Sequence, residues 1–417
     1  MTGGPEPTAA DRRSAPLDGV RALGSLGVLA FHAHLSHTRG GLLGVDVFFV
    51  LSGYLITTLL LRELARRGRV SLGRFWIRRA VRLWPPLAVL LLLCAFDAKG
   101  LGTGGTIAGF LRDAVNAGTW SMDVVVSRRP QQPPPLEHTW SLAVEEQFYL
   151  VWPLVLLTLI TVLKLTDRRR LALVAGLFGV ASWVLLVTTW DGLGPLGNAY
   201  TRPDTRALPI LCGCALALLA DLDPRAHLPS WCARPWTGVS GLVIVLATYA
   251  FITHHATSFE RIIASGTVLA TLGSLLLIAH CVTAERGVTV AVFGSRPLAF
   301  AGVVSYSTYL VQNPLGSVLH RHHRFAGTAL RDELATAGLC LVAGVVLWWA
   351  VERPVRQLLT SEWFARETDP DAHREGRRRS AYLAAAAVPA TFVIVGVILA
   401  IHWNPLAHGP LTVVGGR

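Results

Sequence analysis

The 417-residue chain is strongly apolar: 52% of its residues are hydrophobic, 15% are charged, and the mean hydropathy is +0.48. Soluble domains usually carry about 25% charged residues, so the composition excludes a water-soluble globular protein and indicates a membrane protein. The net charge of +12 comes mainly from arginine-rich loops between apolar stretches. Such loops mark the cytoplasmic side of membrane proteins, so the charge requires no nucleic-acid partner.

Apolar stretches that could cross a bilayer recur along the whole chain. A spanning helix needs about 20 apolar residues, and we predict an all-α, polytopic membrane helix bundle of about 10 to 11 transmembrane helices. The predicted spans are 20–36, 42–62, 83–97, 147–163, 171–190, 204–220, 236–253, 262–282, 298–319, 329–350 and 381–402.

The orientation is predicted from the basic loops at 62–82, 164–170 and 353–379, which all lie inside if the N-terminus is cytoplasmic. The basic stretch 320–324 is the exception. No cleavable signal peptide is predicted. The expected organisation of this multi-pass cell-membrane protein is a cytoplasmic N-terminal tail at 1–16, a transmembrane domain at 17–356, a basic cytoplasmic linker at 357–380, and a further transmembrane helix with a short external tail at 381–417.

The first span carries ionisable residues at helical spacing. Arg21 and His32 are eleven residues apart, which at 100° per residue is about 20° past three full turns, so they share one helix face about 16 Å apart. Asp18 lies one turn before Arg21 and joins that face. Ionisable residues within spans usually face a functional interior; the alternative is a structural histidine that bonds a nearby backbone carbonyl.

The next two spans add an acid and a pair of arginines. Asp46 enters the second span and is either catalytic or a structural counter-ion. Arg79 and Arg82 are spaced i, i+3 on one face, on the same predicted side of the membrane as Arg21. Forked guanidiniums suit phosphate, although a solvated basic face would show the same spacing.

Two adjacent glutamates follow a polar outer segment at 98–137. Glu145 and Glu146 differ by 100° around a helix, so we expect one to face the bundle interior and the other to face water. The segment at 100–105 matches G-x-G-x-x-G, but no strand precedes it, which excludes a dinucleotide-binding loop.

Other catalytic classes lack their motifs. The sequence contains no G-x-S-x-G and no H-E-x-x-H, which disfavours a serine esterase and a zinc enzyme. His32, His34 and His37 point to different helix faces, so no metal site is predicted. The six cysteines have no disulfide or zinc spacing and are expected to be small packing residues.

Several of these stretches together resemble the acyltransferase-3 family of integral membrane O-acyltransferases. The resemblance covers roughly residues 17–356, in the family's order. It is carried by Arg21-x10-His32, "GVDVFFVLSGYLIT", "RRAVR", "HTWSLAVEEQFYLVWPL", "SYSTYL" at 305–310 and "VERPVR" at 351–356.

The resemblance implies a bundle of about ten helices that moves an acyl group from a cytoplasmic thioester, normally acyl-CoA, to an acceptor hydroxyl. The family's essential histidine and arginine fall on His32 and Arg21, and its acidic residue falls on Glu145. Its paired arginines fall on Arg79 and Arg82. One departure is that many relatives read "SYSLYLWHWPL" where this chain has "SYSTYLVQNPL".

Residue chemistry then predicts a mechanism. His32 accepts the proton of the acceptor hydroxyl, and Glu145 or Asp46 orients the imidazole. Arg21, with the arginine pair, holds the CoA phosphates, and the separation of about 16 Å matches an extended pantetheine arm.

The acceptor is predicted less directly. Nothing large follows the last span and the chain is nearly free of lysine, which favours a macrolide- or ansamycin-type natural product made in a high-GC bacterium. The alternative is O-acetylation of a cell-envelope polysaccharide or glycolipid. A proton-coupled transporter is the alternative of another class, although the repeated, broken helices expected of one are not evident. The expected partners are acyl-CoA, the hydroxyl-bearing acceptor and the lipid bilayer, and the oligomeric state is not predicted.

Overall fold

The computed structural model describes residues 9–33, 35, 38–96, 107–128, 136–189, 199–254, 259–321 and 330–357. These residues form helices and turns and contain no strand, which confirms the all-α prediction. The α-helices are α1 Ala9–His32, α2 Gly44–Arg67, α3 Leu72–Phe96, α4 Ile107–Gly118, α5 Met122–Arg128, α6 Trp140–Leu157, α7 Arg168–Thr189, α8 Ala207–Ala220, α9 Pro224–His227, α10 Pro235–His254, α11 Phe259–Thr283, α12 Val288–Phe293, α13 Arg296–Val303, α14 Ser305–Arg321 and α15 Leu330–Leu347. Short 3₁₀ turns lie at Arg39–Leu43, Glu137–Thr139 and Ser230–Ala233, and π-helical turns lie at Thr158–Val162 and Trp348–Glu352.

The first ten predicted spans each fall on helix in the described part of the chain. Six helical segments there are long and apolar enough to cross a membrane: Arg39–Arg67, Glu137–Val162, Arg168–Thr189, Pro235–His254, Ala264–Thr283 and Leu330–Gln357. Several features predicted from the sequence lie outside the described residues, namely His34, His37, the glycine-rich stretch 100–105, the basic residues 322–324, nearly all of the linker 357–380 and the span 381–402.

Two helices begin well before the spans predicted within them. Helix α3 begins at Leu72, before the predicted span 83–97, and the helical segment that contains α6 begins at Glu137, before the predicted span 147–163. Hydrophobicity places a boundary where charges begin, but these charged side chains face other helices, where a membrane helix tolerates them. Consequently Arg79, Arg82 and Glu145 lie within helices instead of at their ends.

Helix α2 is the central helix of the bundle. In its most apolar 18-residue window 78% of the residues are buried, compared with 22% in the last candidate span. Close glycine contacts hold it against α8: a Cβ atom on Gly53 would lie 2.0 Å from the Ile210 carbonyl oxygen, and one on Gly213 would lie 2.0 Å from that of Val50. Small residues allow such backbone approach between membrane helices, which fixes the side chains that α2 presents to its neighbours.

The cysteines pack as the sequence predicted. All six are free thiols, and five of them are buried. Cys214 lies at the α2–α8 contact, where its sulfur is 3.5 Å from the Gly53 carbonyl oxygen.

Candidate active site

A large cavity opens between α1, α2, α3, α6 and α14. Its volume is about 1780 Å³. Four of the six residues that the sequence predicted for the site line its wall: Arg21, Arg79, Arg82 and Glu145. The other two, His32 and Asp46, are not among the lining residues, so the predicted site is divided between this wall and the layer behind it.

Additional arginines line the same cavity. They come from the end of α2, from α3, and from the segments that follow α8 and α11, and they are Arg62, Arg66, Arg67, Arg78, Arg225 and Arg286. The acidic lining residues are fewer: Glu63, Glu145, Asp223 and Glu285. A cleft with an excess of one charge attracts ligands of the opposite charge, so this cavity favours a polyanion.

The deeper arginines form a cluster with two acids. The Arg21 guanidinium lies 2.9 Å from an Asp18 carboxylate oxygen, which confirms that these two side chains share a face of α1. Arg82 is within electrostatic range of Arg21, Arg79, Arg356 and Glu352.

Glu352 is carried into this cluster by a π-helical turn. The turn spans Trp348–Glu352, and the side chain of its last residue, Glu352, is buried. Glu352 accepts a hydrogen bond from Ser307 at 2.8 Å and lies 3.6 Å from Arg356. Single π-turns are frequent at functional sites.

The side chains of the adjacent glutamates point in different directions, as predicted. One faces the bundle interior as expected, but the other does not face water. Glu145 lines the cavity and accepts hydrogen bonds from the hydroxyls of Ser52 and Tyr149. Glu146 lies 2.8 Å from Arg79 and its side chain is only 10% exposed. The expectation that one glutamate faces water is therefore wrong, because α3 extends far enough to give Glu146 a buried partner.

His32 is the last residue of α1, and its ring is bonded to its own helix. Its Nδ1 atom lies 3.0 Å from the carbonyl oxygen of Val28. A carbonyl can only accept, so Nδ1 is the donor in this contact, and Nε2 is the atom that carries the lone pair in the neutral form of the ring. This is also the backbone bond expected of a structural histidine. The role predicted for Glu145 or Asp46 in orienting this ring stays a prediction.

A second histidine faces His32 and was not predicted. The ring centroids of His32 and His138 are 6.3 Å apart at an interplanar angle of 74°. The Nε2 atom of His138 lies 3.1 Å from the Leu310 carbonyl oxygen, so it is the donor, and Nδ1 accepts from the Asn313 amide at 3.2 Å. Asn313 is one of the residues at which this chain departs from its relatives. The signal for His138 was its position at the start of "HTWSL".

The histidine pair lies directly behind the cavity wall. Tyr309 lines the cavity and donates its hydroxyl hydrogen bond to the His138 carbonyl. Its oxygen is 2.5 Å from the hydroxyl of Ser141, another lining residue. Tyr309 therefore lies between the arginine-lined space and His138, and His32 lies against His138.

The family model described as an acyltransferase domain, Acyl_transf_3, matches residues 15–353. The chain belongs to the acyltransferase-3 family. This match confirms the resemblance that the sequence motifs indicated.

Three relatives match this family member over most of its length. It is 32% identical over 321 residues to the peptidoglycan O-acetyltransferase OatA of Listeria monocytogenes, covering 74% of this chain and 50% of that protein. It is 32% identical to the putative peptidoglycan O-acetyltransferase YrhL of Bacillus subtilis, covering 72% and 48%. It is 33% identical to a putative O-acetyltransferase of Staphylococcus aureus strain COL, covering 82% and 57%. The chain thus spans about half the length of these relatives. No solved structure matches it significantly.

Asp46 lies in a different environment from the cavity acids. Its carboxylate is 2.9 Å from Arg206, and both side chains are fully buried. Arg206 also donates to Thr267 at 2.8 Å and lies over the Tyr200 ring at 4.4 Å. The observed contact is the counter-ion arrangement that the sequence left open, whereas a catalytic role for Asp46 stays a prediction.

Proposed function

We propose that this acyltransferase-3 family member is a membrane O-acetyltransferase that transfers an acetyl group from acetyl-CoA to a hydroxyl of a cell-envelope glycan. The observation that carries the proposal is the arginine-lined cavity whose lining residue Tyr309 contacts His138, the histidine that faces His32. The names of the relatives favour the cell-envelope alternative over the macrolide- or ansamycin-type acceptor. We assign the basic opening of the cavity to the cytoplasm, where CoA thioesters are available.

The cavity matches acetyl-CoA in its charge and in the distance between its charged wall and the histidines. CoA carries phosphate groups at one end and a thioester at the other, and the cavity wall carries guanidiniums from five separate parts of the chain. Arg21 and His32 are on one helix about 16 Å apart, so phosphate held near Arg21 places an extended pantetheine arm toward the histidines. Tyr309 and Ser141 would open or border the path of that arm.

The chemistry follows from the tautomer of His32. Its Nε2 lone pair removes the proton of the acceptor hydroxyl while that oxygen attacks the thioester carbonyl carbon. The tetrahedral intermediate collapses by breaking the carbon–sulfur bond, and the thiolate of CoA takes the proton back from the imidazolium. The products are an acetate ester and free CoA, so no further reactant is needed.

Glu145 contributes its charge to this step. It lines the cavity and is within electrostatic range of Tyr309, which contacts His138. A fixed carboxylate near the reacting groups stabilises the imidazolium that forms as His32 is protonated. In this proposal Glu145 acts through its charge, and the Val28 carbonyl holds the tautomer.

The proposal is tested with inside-out membrane vesicles that contain the full chain and receive acetyl-CoA labelled in the acetyl group. Label should appear as base-labile ester in the glycan fraction, with free CoA released in equal amount. Vesicles without the chain are the control. Label recovered instead in a low-mass organic extract would return the acceptor to the natural-product class. Binding of acetyl-CoA without any ester formation in either fraction would contradict an acyltransferase activity.

A further inference from the structure

We infer that Arg79 and Arg82 have different tasks, with Arg82 facing the donor phosphates and Arg79 acting as a positioning residue for Glu145. The inference rests on the proposed function, since it divides the donor site into a binding part and an orienting part. From the sequence alone, both arginines were expected to bind the CoA phosphates, because their i, i+3 spacing puts them on one helix face.

Arg79 is already engaged within the protein. Its guanidinium lies 2.8 Å from the Glu146 carboxylate and 3.3 Å from the centre of the Tyr149 ring. A guanidinium that is paired on one edge and stacked on one face has little capacity left for a phosphate.

Arg82 is placed differently. It forms no ion pair within the described part of the chain, and its Nε atom is buried without a hydrogen-bond partner. The nearby charges are three guanidiniums, of Arg21, Arg79 and Arg356, and three carboxylates, of Asp18, Glu146 and Glu352. None of these carboxylates forms an ion pair with Arg82 in the described residues, and Asp18 and Glu146 are already paired with Arg21 and Arg79. The Nε of Arg79 is also without a partner, so the difference between the two lies in the ion pair and in the stacked ring.

Tyr149 connects Arg79 to Glu145. The Tyr149 hydroxyl donates to the Glu145 carboxylate, and its ring is the surface on which Arg79 rests. The backbone carbonyl of Tyr149 also accepts a hydrogen bond from the Trp76 indole nitrogen at 3.1 Å. Two side chains of helix α3, Trp76 and Arg79, therefore contact α6 at Tyr149. These contacts fix the orientation in which the Tyr149 hydroxyl donates to Glu145.

This arrangement predicts opposite kinetic effects for the two arginines. Replacing Arg82 with Gln should raise KM for acetyl-CoA about 10- to 100-fold, because a charge-assisted bond to phosphate is lost, with a small change in kcat. Replacing Arg79 with Gln should lower kcat about 100-fold, as expected when a catalytic group is displaced, with KM changed less than threefold.

Tyr149→Phe is the matched variant that tests the link itself. It keeps the ring under Arg79 and removes only the hydroxyl that donates to Glu145. It should lower kcat as Arg79→Gln does, and adding Arg79→Gln to it should lower kcat little further. Arg79→Lys keeps a charge beside Glu146 and should recover part of the kcat lost in Arg79→Gln.

The experiment measures KM and kcat for acetyl-CoA, and CoA binding by calorimetry, with the purified full chain and its variants. Unchanged CoA affinity in Arg79→Gln and weakened affinity in Arg82→Gln are the expected results. Equal weakening of CoA binding by the two substitutions, with kcat preserved, would overturn the inference and leave the proposed function in place. Failure of the unaltered protein to bind CoA would overturn the proposed function, and with it the assignment of Arg82.

Discussion

Two groups of charged residues lie within this helix bundle, and they differ in how far their charges are balanced. In the Asp46–Arg206 pair, one carboxylate meets one guanidinium at 2.9 Å, and both side chains have no exposed surface. In the cavity, many guanidiniums share a few carboxylates around an open volume of about 1780 Å³. A balanced and closed pair needs no further partner, whereas an unbalanced cluster beside an open volume attracts a ligand of the opposite charge. Within membrane spans, the balance of charge is thus more informative than the presence of charge.

The largest expected effect is the loss of turnover in His32→Ala, because the group that removes the acceptor proton is gone while the rest of α1 is unchanged. Ester formation should fall below detection, and the variant should keep the elution volume and unfolding temperature of the unaltered protein. His227→Ala is the control, since that ring is exposed and bonds only within its own turn. Near-normal turnover by a folded His32→Ala protein would remove the histidine pair from the mechanism.

Breaking the buried Asp46–Arg206 pair should lower the stability of the fold. Arg206→Met leaves Asp46 as a buried charge without its partner, which typically costs about 3–5 kcal/mol. Thermal unfolding in detergent should show a large decrease for this variant and a smaller one for the double variant Asp46→Leu with Arg206→Met. If Arg206→Met were as stable as the unaltered protein but weakened CoA binding, the two groups of charges would not be distinct.

His138 lies between the two groups, since Tyr309 links it to the cavity and it closely precedes Trp140, whose ring contacts Tyr200 at 5.3 Å. Asn313→Leu removes the amide that donates to His138 Nδ1 and should cost about 1–3 kcal/mol. Turnover should fall with stability, measured by unfolding and ester formation in the same samples. Asn116→Leu is the matched control, because that amide bonds only near the surface, donating to the Arg112 carbonyl of its own helix and accepting from Ser121 among the described residues. Equal results for the two variants would mean that the Asn313 contact contributes nothing.

Raising the salt concentration should produce the smallest of these effects, and the effect should be confined to KM for acetyl-CoA. Raising the ionic strength from about 0.05 M to about 0.5 M shortens the screening length several-fold, so KM for acetyl-CoA should rise while kcat stays nearly constant. The difference in unfolding temperature between Arg206→Met and the unaltered protein should not change over this range, because buried pairs are screened much less. A salt-independent KM would contradict the role assigned to the cavity arginines.

Local geometry was predictable from the sequence wherever a single helix determines it. The Asp18–Arg21 contact and the divergence of Glu145 from Glu146 follow from 100° per residue. Contacts between helices were not predictable in this way. Arg206 lies 160 residues from Asp46, and the meeting of His32 with His138 depends on how α1 packs near the start of α6.

The helical stretches that precede two of the predicted spans were not evident in the sequence, for a related reason. Arg79 and Glu146 each appear to end an apolar stretch when read alone, but they are partners inside the bundle. A hydrophobicity rule treats each charge as a cost, whereas a pair in contact offsets part of that cost. The cavity arginine Arg62 was interpreted only as part of a basic loop, and Arg225 and Arg286 were not singled out, because their convergence on one space is a property of the packed bundle.

The bond from His32 to the Val28 carbonyl has a mechanical consequence. Because the ring is tied to its own helix, Arg21 and His32 belong to one rigid rod, and tilting of α1 moves both ends together without altering their separation. In the proposed mechanism, this fixed separation sets the distance that a donor must span between its anionic head and its reactive carbonyl. A thioester with a truncated arm is then expected to bind at Arg21 without its carbonyl reaching His32.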